Sequence, residues 1–66
     1  MNERQRRILA YALGSGSVTT GWCMDNLGVV RDTAHRDLVR LVEQNILVRK
    51  GSGRGVRYVP REGGSA

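Results

Sequence analysis

The sequence lacks the residues from which most enzyme sites and crosslinked folds are built. It contains one cysteine, Cys23, and one histidine, His35, among 66 residues. A single thiol makes neither an internal disulfide nor a structural zinc site, so Cys23 is interpreted as a small buried apolar residue. The sequence offers no acid pair and no nucleophile grouped with a base. We therefore predict no enzyme activity, no metal site and no cofactor.

Long apolar runs are also absent. No stretch approaches the ~20 apolar residues that cross a bilayer. Arg4, Arg6 and Arg7 lead into a short amphipathic segment, unlike the continuous apolar core of a signal peptide. The sequence therefore predicts an intracellular, cytoplasmic protein. A chain of 66 residues forms one domain at most, and its working surface should be an exterior face rather than a deep pocket.

Negative charge is scarce. Six Asp and Glu residues oppose eleven Lys and Arg residues, which gives a formal net charge of +5 at pH 7. Such a balance indicates a polyanionic partner, with nucleic acid as the first candidate and an acidic membrane surface as the second. Many small basic proteins bind nothing specific, so the distribution of the charges along the chain matters more than their sum.

Apolar periodicity and turn signals predict three helices. Asn2 and Gln5 form a capping-box pattern before the first helix, which residues 14–16 end. Its buried face is predicted to contain Ile8, Leu9, Ala12 and Leu13, and its outer side Arg4, Arg7 and Tyr11. Thr19 or Thr20 is expected to cap a short second helix that ends at Gly28 and carries a partly buried Trp22.

The third helix is predicted over residues 31–44, and a hairpin follows it. Ala34, Leu38, Leu41 and Val42 form its apolar stripe, and Asp32, Arg36, Arg40 and Glu43 lie nearly opposite. Residues 46–50 and 56–59 read as two strands around a glycine-rich tip, with residues 17–19 as a short third strand. We predict an α+β domain over residues 1–60, followed by a disordered tail over 61–66.

The segment from Leu27 to Leu38 carries a family resemblance. It resembles the turn and recognition helix of winged helix-turn-helix domains, with matches at Thr33, Ala34, Arg36, Asp37 and Leu38. The similar families are the DeoR-type repressors and the C-terminal winged helices of RecG-related ATP-binding and Fic-family proteins. Residues 45–48 resemble the entry to the wing, and residues 51–58 the wing itself. The likeness covers residues 18–59 and implies a DNA-binding domain, in some relatives part of a larger protein.

The third helix departs from the family pattern in its first turn. Val30 stands where a serine or threonine cap is usual, so the first turn has fewer partners for its N–H groups. Asp32 then serves as a first-turn anion on the outward side. We expect it to pair with Arg36, four residues on; the alternative is a hydrogen bond from the amino group of a cytosine.

Residue chemistry assigns roles on this helix and on the hairpin. Arg36 is the candidate for guanine readout, with Thr33 and His35 near bases or phosphates and Arg31 and Arg40 on the backbone. Asp37 is interpreted as a structural partner. In the wing, Arg54 is the tip probe for phosphate or the minor groove. The predicted DNA contacts are Arg31, Asp32, Thr33, His35, Arg36, Arg40, Lys50, Ser52, Arg54 and Arg57.

Other interpretations remain beside DNA binding. In one alternative, the charged face of the third helix is only a solvated surface, and the charges of the hairpin serve to block aggregation at its edge. The main alternative is the same fold used for protein contact or dimerisation, with a second copy or the domains of a parent protein as partner. Binding of RNA or single strands is less favoured because Tyr11, Trp22 and Tyr58 are scattered along the chain. Double-stranded DNA, not a membrane, is thus the predicted partner.

Overall fold

A computed structural model describes residues 1–61 and confirms the predicted order of elements. The helices are α1 (Glu3–Ser15), α2 (Thr20–Leu27) and α3 (Arg31–Glu43). The strands β1 (Leu47–Lys50) and β2 (Arg57–Pro60) form an antiparallel hairpin, with a single turn of 3-10 helix at Gly53–Gly55. The fold is the predicted α+β arrangement. Most of the predicted tail, residues 62–66, lies outside the described residues.

Local hydrogen bonds fix the boundaries of the first two helices. The side chain of Asn2 accepts the N–H of Gln5 at 2.8 Å, and the side chain of Gln5 accepts the N–H of Asn2 at 3.2 Å. The hydroxyl of Thr19 accepts the N–H of Trp22 at 3.0 Å and so caps α2. Gly28 ends α2 in the left-handed region, with φ 65°. The capping box and the glycine stop were both predicted from the sequence.

The third helix starts without a side-chain cap, as its sequence predicts. Val30 occupies the N-cap position in an extended conformation, and its apolar side chain makes no cap hydrogen bond. The helix ends at Glu43, one residue earlier than predicted, and Gln44 is the C-cap. Asn45 follows with φ 62°, a conformation that asparagine tolerates better than most residues.

The hairpin is joined to the helices through one residue of a third strand. Lys50 pairs with Arg57 and Val48 with Val59 in the β1–β2 register. Val18 forms an isolated antiparallel bridge with Tyr58, with both N–H···O distances at 2.8 Å. The predicted third strand is therefore a single bridge, and it attaches the α1–α2 connection to β2.

The core takes side chains from all three helices and from the hairpin. The buried apolar residues, each no more than 2% exposed, are Ile8, Ala12, Val18, Cys23, Ala34, Leu38, Leu41, Leu47 and Tyr58. Cys23 is fully buried, as predicted, and desolvation together with the nearby charge of Asp37 raises its thiol pKa to about 11. No helix within residues 1–61 has the length and apolar character needed to cross a membrane.

The prediction that Leu13 lies on the buried face of α1 was wrong. Its side chain is 65% exposed. The buried stripe of α1 runs through Gln5, Ile8 and Ala12, and a residue directly after Ala12 is rotated by about 100° away from it. Gln5 takes a core position despite its polarity because its amide hydrogen-bonds to Asn2 and to Asp37.

Candidate nucleic-acid interface

The outward face of α3 carries most of the predicted contacts of this helix. Ala34, Leu38 and Leu41 point into the core, and Asp32, His35, Arg36, Arg40 and Glu43 are exposed. Because successive residues of a helix are rotated by about 100°, the side opposite the core residues carries Asp32, Arg36, Arg40 and Glu43, and His35 lies on a flank. The helix is thus held by one side and leaves the other available to a partner.

A shallow groove brings four of the predicted residues together. It has a volume of about 720 Å³ and lies between the start of α1 and the outward face of α3. Asp32, His35, Arg36 and Arg40 line it from α3. Arg31 is exposed at the first position of α3 and Thr33 is half-buried, and neither borders the groove.

Arg36 and Asp32 do not form the expected ion pair. Within residues 1–61 the carboxylate–guanidinium contacts are Arg4–Asp37 and Arg7–Glu3. The preference for an Asp32–Arg36 pair was therefore wrong. Two long exposed side chains gain little by pairing in water, because the entropy of ordering them offsets the Coulomb attraction. Both polar heads remain available at the surface.

Asp37 is a structural residue, as the sequence predicts, although its partners come from an unexpected place. It is 4% exposed, and Arg4 Nε donates to its Oδ2 at 2.6 Å. Gln5 Nε2 donates to Oδ1 at 3.4 Å. The hydrogen bond to Asp37 and its negative charge raise the pKa of Arg4. Arg4, which the sequence places on the outer side of α1, ties the start of that helix to the middle of α3.

The wing, taken from here on as the whole hairpin with its tip, carries positive charge and no acidic residue. Arg49, Lys50, Arg54 and Arg57 are all exposed, and residues 46–61 contain no Asp or Glu. Lys50 and Arg57 are directly paired across the strands, an arrangement in which like charges destabilise a sheet. The carbonyl of Ser52 accepts the N–H of Gly55 at 3.0 Å, which places Arg54 inside a closed turn.

Gly51 permits the close return of the chain at the wing tip. Its φ is 83°, and a Cβ at this position would lie 2.3 Å from the carbonyl oxygen of Gly55. Any larger residue would have to push the strands apart there. The tip geometry, and with it the position of Arg54, therefore depends on this glycine.

The wing residues do not line the groove on α3. Lys50 borders a different groove of about 590 Å³, together with Leu13 of α1 and Gly16, which follows that helix. Neither this groove nor the stacking of Tyr11 on Trp22, with ring centroids 4.1 Å apart, is predicted from the sequence. Both arise between residues distant in sequence, and no local pattern signals them. The partial burial predicted for Trp22 is confirmed.

Among residues 1–61, no three His, Cys, Asp or Glu side chains are close enough together to hold a metal ion. The exposed surface of α3 and the wing instead offers guanidinium, ammonium, imidazole and hydroxyl groups. These are groups that bind phosphates and base edges.

Comparison with solved structures shows the same architecture. A MarR family protein from Bacillus stearothermophilus superimposes with a TM-score of 0.81 over 98% of this chain at 20% identity, and the match takes in 46% of that protein. The oxidized form of MarR from E. coli gives a TM-score of 0.78 at 25% identity, over 98% of this chain and 48% of the other. The chain thus spans about half the length of these proteins. No curated protein matches the sequence.

A family model assigns the sequence directly. The model of the DeoR-like helix-turn-helix domain matches residues 4–58, which include all three helices and most of the hairpin. The match agrees with the resemblance of residues 27–38 and with the winged architecture. The chain belongs to the DeoR-like helix-turn-helix domain family and is a helix-turn-helix DNA-binding domain of the winged kind.

Proposed function

We propose that the domain binds double-stranded DNA with α3 in the major groove and the wing on phosphates or in the minor groove. The observation that supports this most is the exposed Arg36, which has no carboxylate within 4.0 Å among residues 1–61 and lies on the face of α3 opposite the core. The major groove of B-DNA is about 12 Å wide and accepts one α-helix.

The side chains of α3 fit the two kinds of contact that such docking needs. Arg36 is central on the exposed face, where its guanidinium can donate to both acceptors of a guanine. Arg31 and Arg40 are nine residues apart, so they reach the DNA backbone from opposite ends of α3, about 13 Å apart along its axis. We assign them to phosphates on the two strands, and Thr33 and His35 to the adjoining bases or phosphates.

Asp32 adds a selective element to this face. Its carboxylate is exposed and is not neutralised by Arg36. A carboxylate close to DNA is repelled by phosphates, but it accepts a hydrogen bond from the amino group of cytosine. Asp32 therefore favours one base at its position and opposes binding where no amino group is present.

The wing supplies the attraction that does not depend on sequence. Lys50, Arg54 and Arg57 are exposed together with Ser52, and the repulsion between Lys50 and Arg57 falls when a phosphate lies between them. Arg54, at the turn of the tip, is the residue assigned to the minor groove or to a phosphate. The outward face of α3 is mixed in sign, so most of the non-specific affinity is assigned to the wing.

Selection of bound duplexes from a random library, with a single-stranded control, tests the proposal. We expect a duplex preference, and an affinity that falls steeply between 50 and 200 mM salt. The proposal fails if the affinity is the same at both salt concentrations, or if single strands compete equally well for the domain.

A second candidate function is contact with another protein, either a second copy or further domains of a parent protein. One observation favours it: Leu13 is 65% exposed beside the half-buried Val48 and Val59, in the groove of about 590 Å³. Chemical shifts of these residues that depend on protein concentration, with Leu13→Ser abolishing the dependence, would support it. A regulatory or RecG-related parent rests on the sequence resemblance alone.

A further inference from the structure

The start of α1 is connected to the middle of α3 by a chain of polar contacts around Asp37. Arg4 donates to both carboxylate oxygens, from Nε at 2.6 Å and from Nη2 at 3.4 Å. Gln5 Nε2 donates to Oδ1, while the other end of the same amide accepts the N–H of Asn2. We call this set, Asn2, Arg4, Gln5 and Asp37, the α1–α3 clamp.

The clamp lies next to the proposed base-reading residue. Asp37 directly follows Arg36 in α3, and one groove is lined by both residues and by Arg4. A bidentate contact of a guanidinium with a guanine needs both donors aligned at once. A small rotation of α3 about its axis, or a small tilt of that axis, would misalign the two donors of Arg36. Binding sites of this kind tolerate displacements of only about 0.5 Å.

Local structure leaves the first half of α3 short of other directional restraints. Val30 provides no cap hydrogen bond, and Gly28 before it is in the left-handed region. The apolar contacts of Ala34 and Leu38 hold the helix against the core, but apolar contacts are non-directional. The hydrogen bonds to Asp37 are directional, and they hold the middle of a helix whose first turn has no side-chain cap.

We propose that Arg4 is a positioning residue for DNA recognition, which through Asp37 fixes the orientation in which α3 presents Arg36. This inference rests on the proposed function and adds to it a residue outside the predicted contacts. Arg4 acts through the helix and not by touching a base. Its loss should therefore reduce discrimination between sequences while leaving the number of phosphate contacts unchanged.

The test compares Arg4→Gln with Arg7→Gln. Both variants remove one positive charge from α1, but among residues 1–61 the carboxylate partner of Arg7 is the exposed Glu3, at 3.7 Å. Dissociation constants are measured for the selected duplex and for a shuffled duplex at several salt concentrations, below the unfolding temperature of each variant. We expect Arg4→Gln to reduce the ratio of the two constants by at least about fivefold, which lies within the range that one bidentate base contact provides. Its salt slope should equal that of Arg7→Gln. Arg4→Lys should restore part of the ratio.

Equal ratios in the two glutamine variants would overturn the proposal. So would a salt slope that falls by about one in Arg4→Gln alone with an unchanged ratio, because Arg4 would then be a phosphate contact. Residual dipolar couplings of the free domain provide an arm without DNA, in which Arg4→Gln should change the orientation of α3 relative to α2. Unchanged couplings would show that the clamp does not orient α3. A wild-type domain that binds duplex no better than single-stranded DNA would instead reject the proposed function.

Discussion

Arg36 and Asp37 are neighbours in sequence, yet the fold gives them opposite environments. Arg36 is exposed without a carboxylate partner among residues 1–61, and Asp37 is 4% exposed with two donors from α1. The 100° rotation between successive helical residues is enough to separate them. The side of α3 that a residue occupies thus decides whether it is available to a partner or supports the fold.

Arg36→Ala is expected to weaken binding to the selected duplex by about 1–3 kcal/mol and to relax the preference at one base position. The physical reason is the loss of two hydrogen bonds to one base, with the rest of the helix unchanged. Selection from the random library with the variant measures both effects. A uniform loss across all sequences would instead assign Arg36 to the backbone.

Cys23 should make stability depend on pH at the alkaline end. Its pKa is raised to about 11 in the folded chain from the ordinary value of 9.0, so the unfolded chain loses this proton first as the pH rises. Stability is complete below about pH 9 and falls by roughly 2–3 kcal/mol by about pH 11. Denaturant unfolding at pH 8 and pH 10.5 measures the fall, and Cys23→Ala should show a smaller one. Equal falls would mean that other groups cause it.

At the scale of the elements, the helices differ in how their starts are secured. α1 has a complete capping box and α2 a threonine cap, whereas α3, the proposed reading helix, has neither. The free amide groups of its first turn point along the helix axis, out of its N-terminus. The absence of a cap at Val30 leaves these groups to water or to a phosphate.

Val30→Ser should stabilise the domain by about 1 kcal/mol relative to Val30→Ala. Val30 already has the extended backbone of an N-cap, at φ −75° and ψ 164°, and is 67% exposed. A serine oxygen there can therefore accept an amide of the first turn without loss of packing. Thermal unfolding of the two variants measures this difference. Because both variants lack the valine side chain, its loss does not contribute to the difference between them. No difference would show that the first turn of α3 is already satisfied.

At the scale of the whole molecule, two surfaces differ in charge: the outward face of α3 and the wing. The outward face of α3 mixes both signs, while residues 46–61 carry only positive charge. If the proposed function holds, the wing attracts a polyanion over a distance set by the salt, and α3 reads its bases only at contact. The positive charge of the hairpin would then add affinity without sequence preference.

The double variant Lys50→Gln/Arg54→Gln should lower the magnitude of the salt slope by about two, since each phosphate contact contributes about 0.9. The ratio between selected and shuffled duplexes should change little. Arg6→Gln/Arg7→Gln removes the same charge from the exposed side of α1 and is the control. Equal slopes in the two double variants would exclude a direct role for the wing.

The sequence by itself determined the helices and the two hairpin strands, with limits correct to about one residue, because caps, glycine stops and apolar periodicity act over three to five residues. Asn2, Thr19 and Gly28 each signal a helix end through atoms within their own turn. The exposed residues of α3 followed from the same periodicity, and so did the basic hairpin. The structural role of Asp37 was also predicted, but its burial and the residues that satisfy its carboxylate were not.

Only the tertiary structure decided the contacts between elements. The Arg4–Asp37 pair spans 33 residues, and the Val18–Tyr58 bridge is of the same long-range kind. Such contacts depend on how whole helices pack, so no local pattern encodes them. The exposure of Leu13 and the missing Asp32–Arg36 pair have different causes. Leu13 is rotated away from the buried stripe of α1, whereas the Asp32–Arg36 pair is exposed and competes with water.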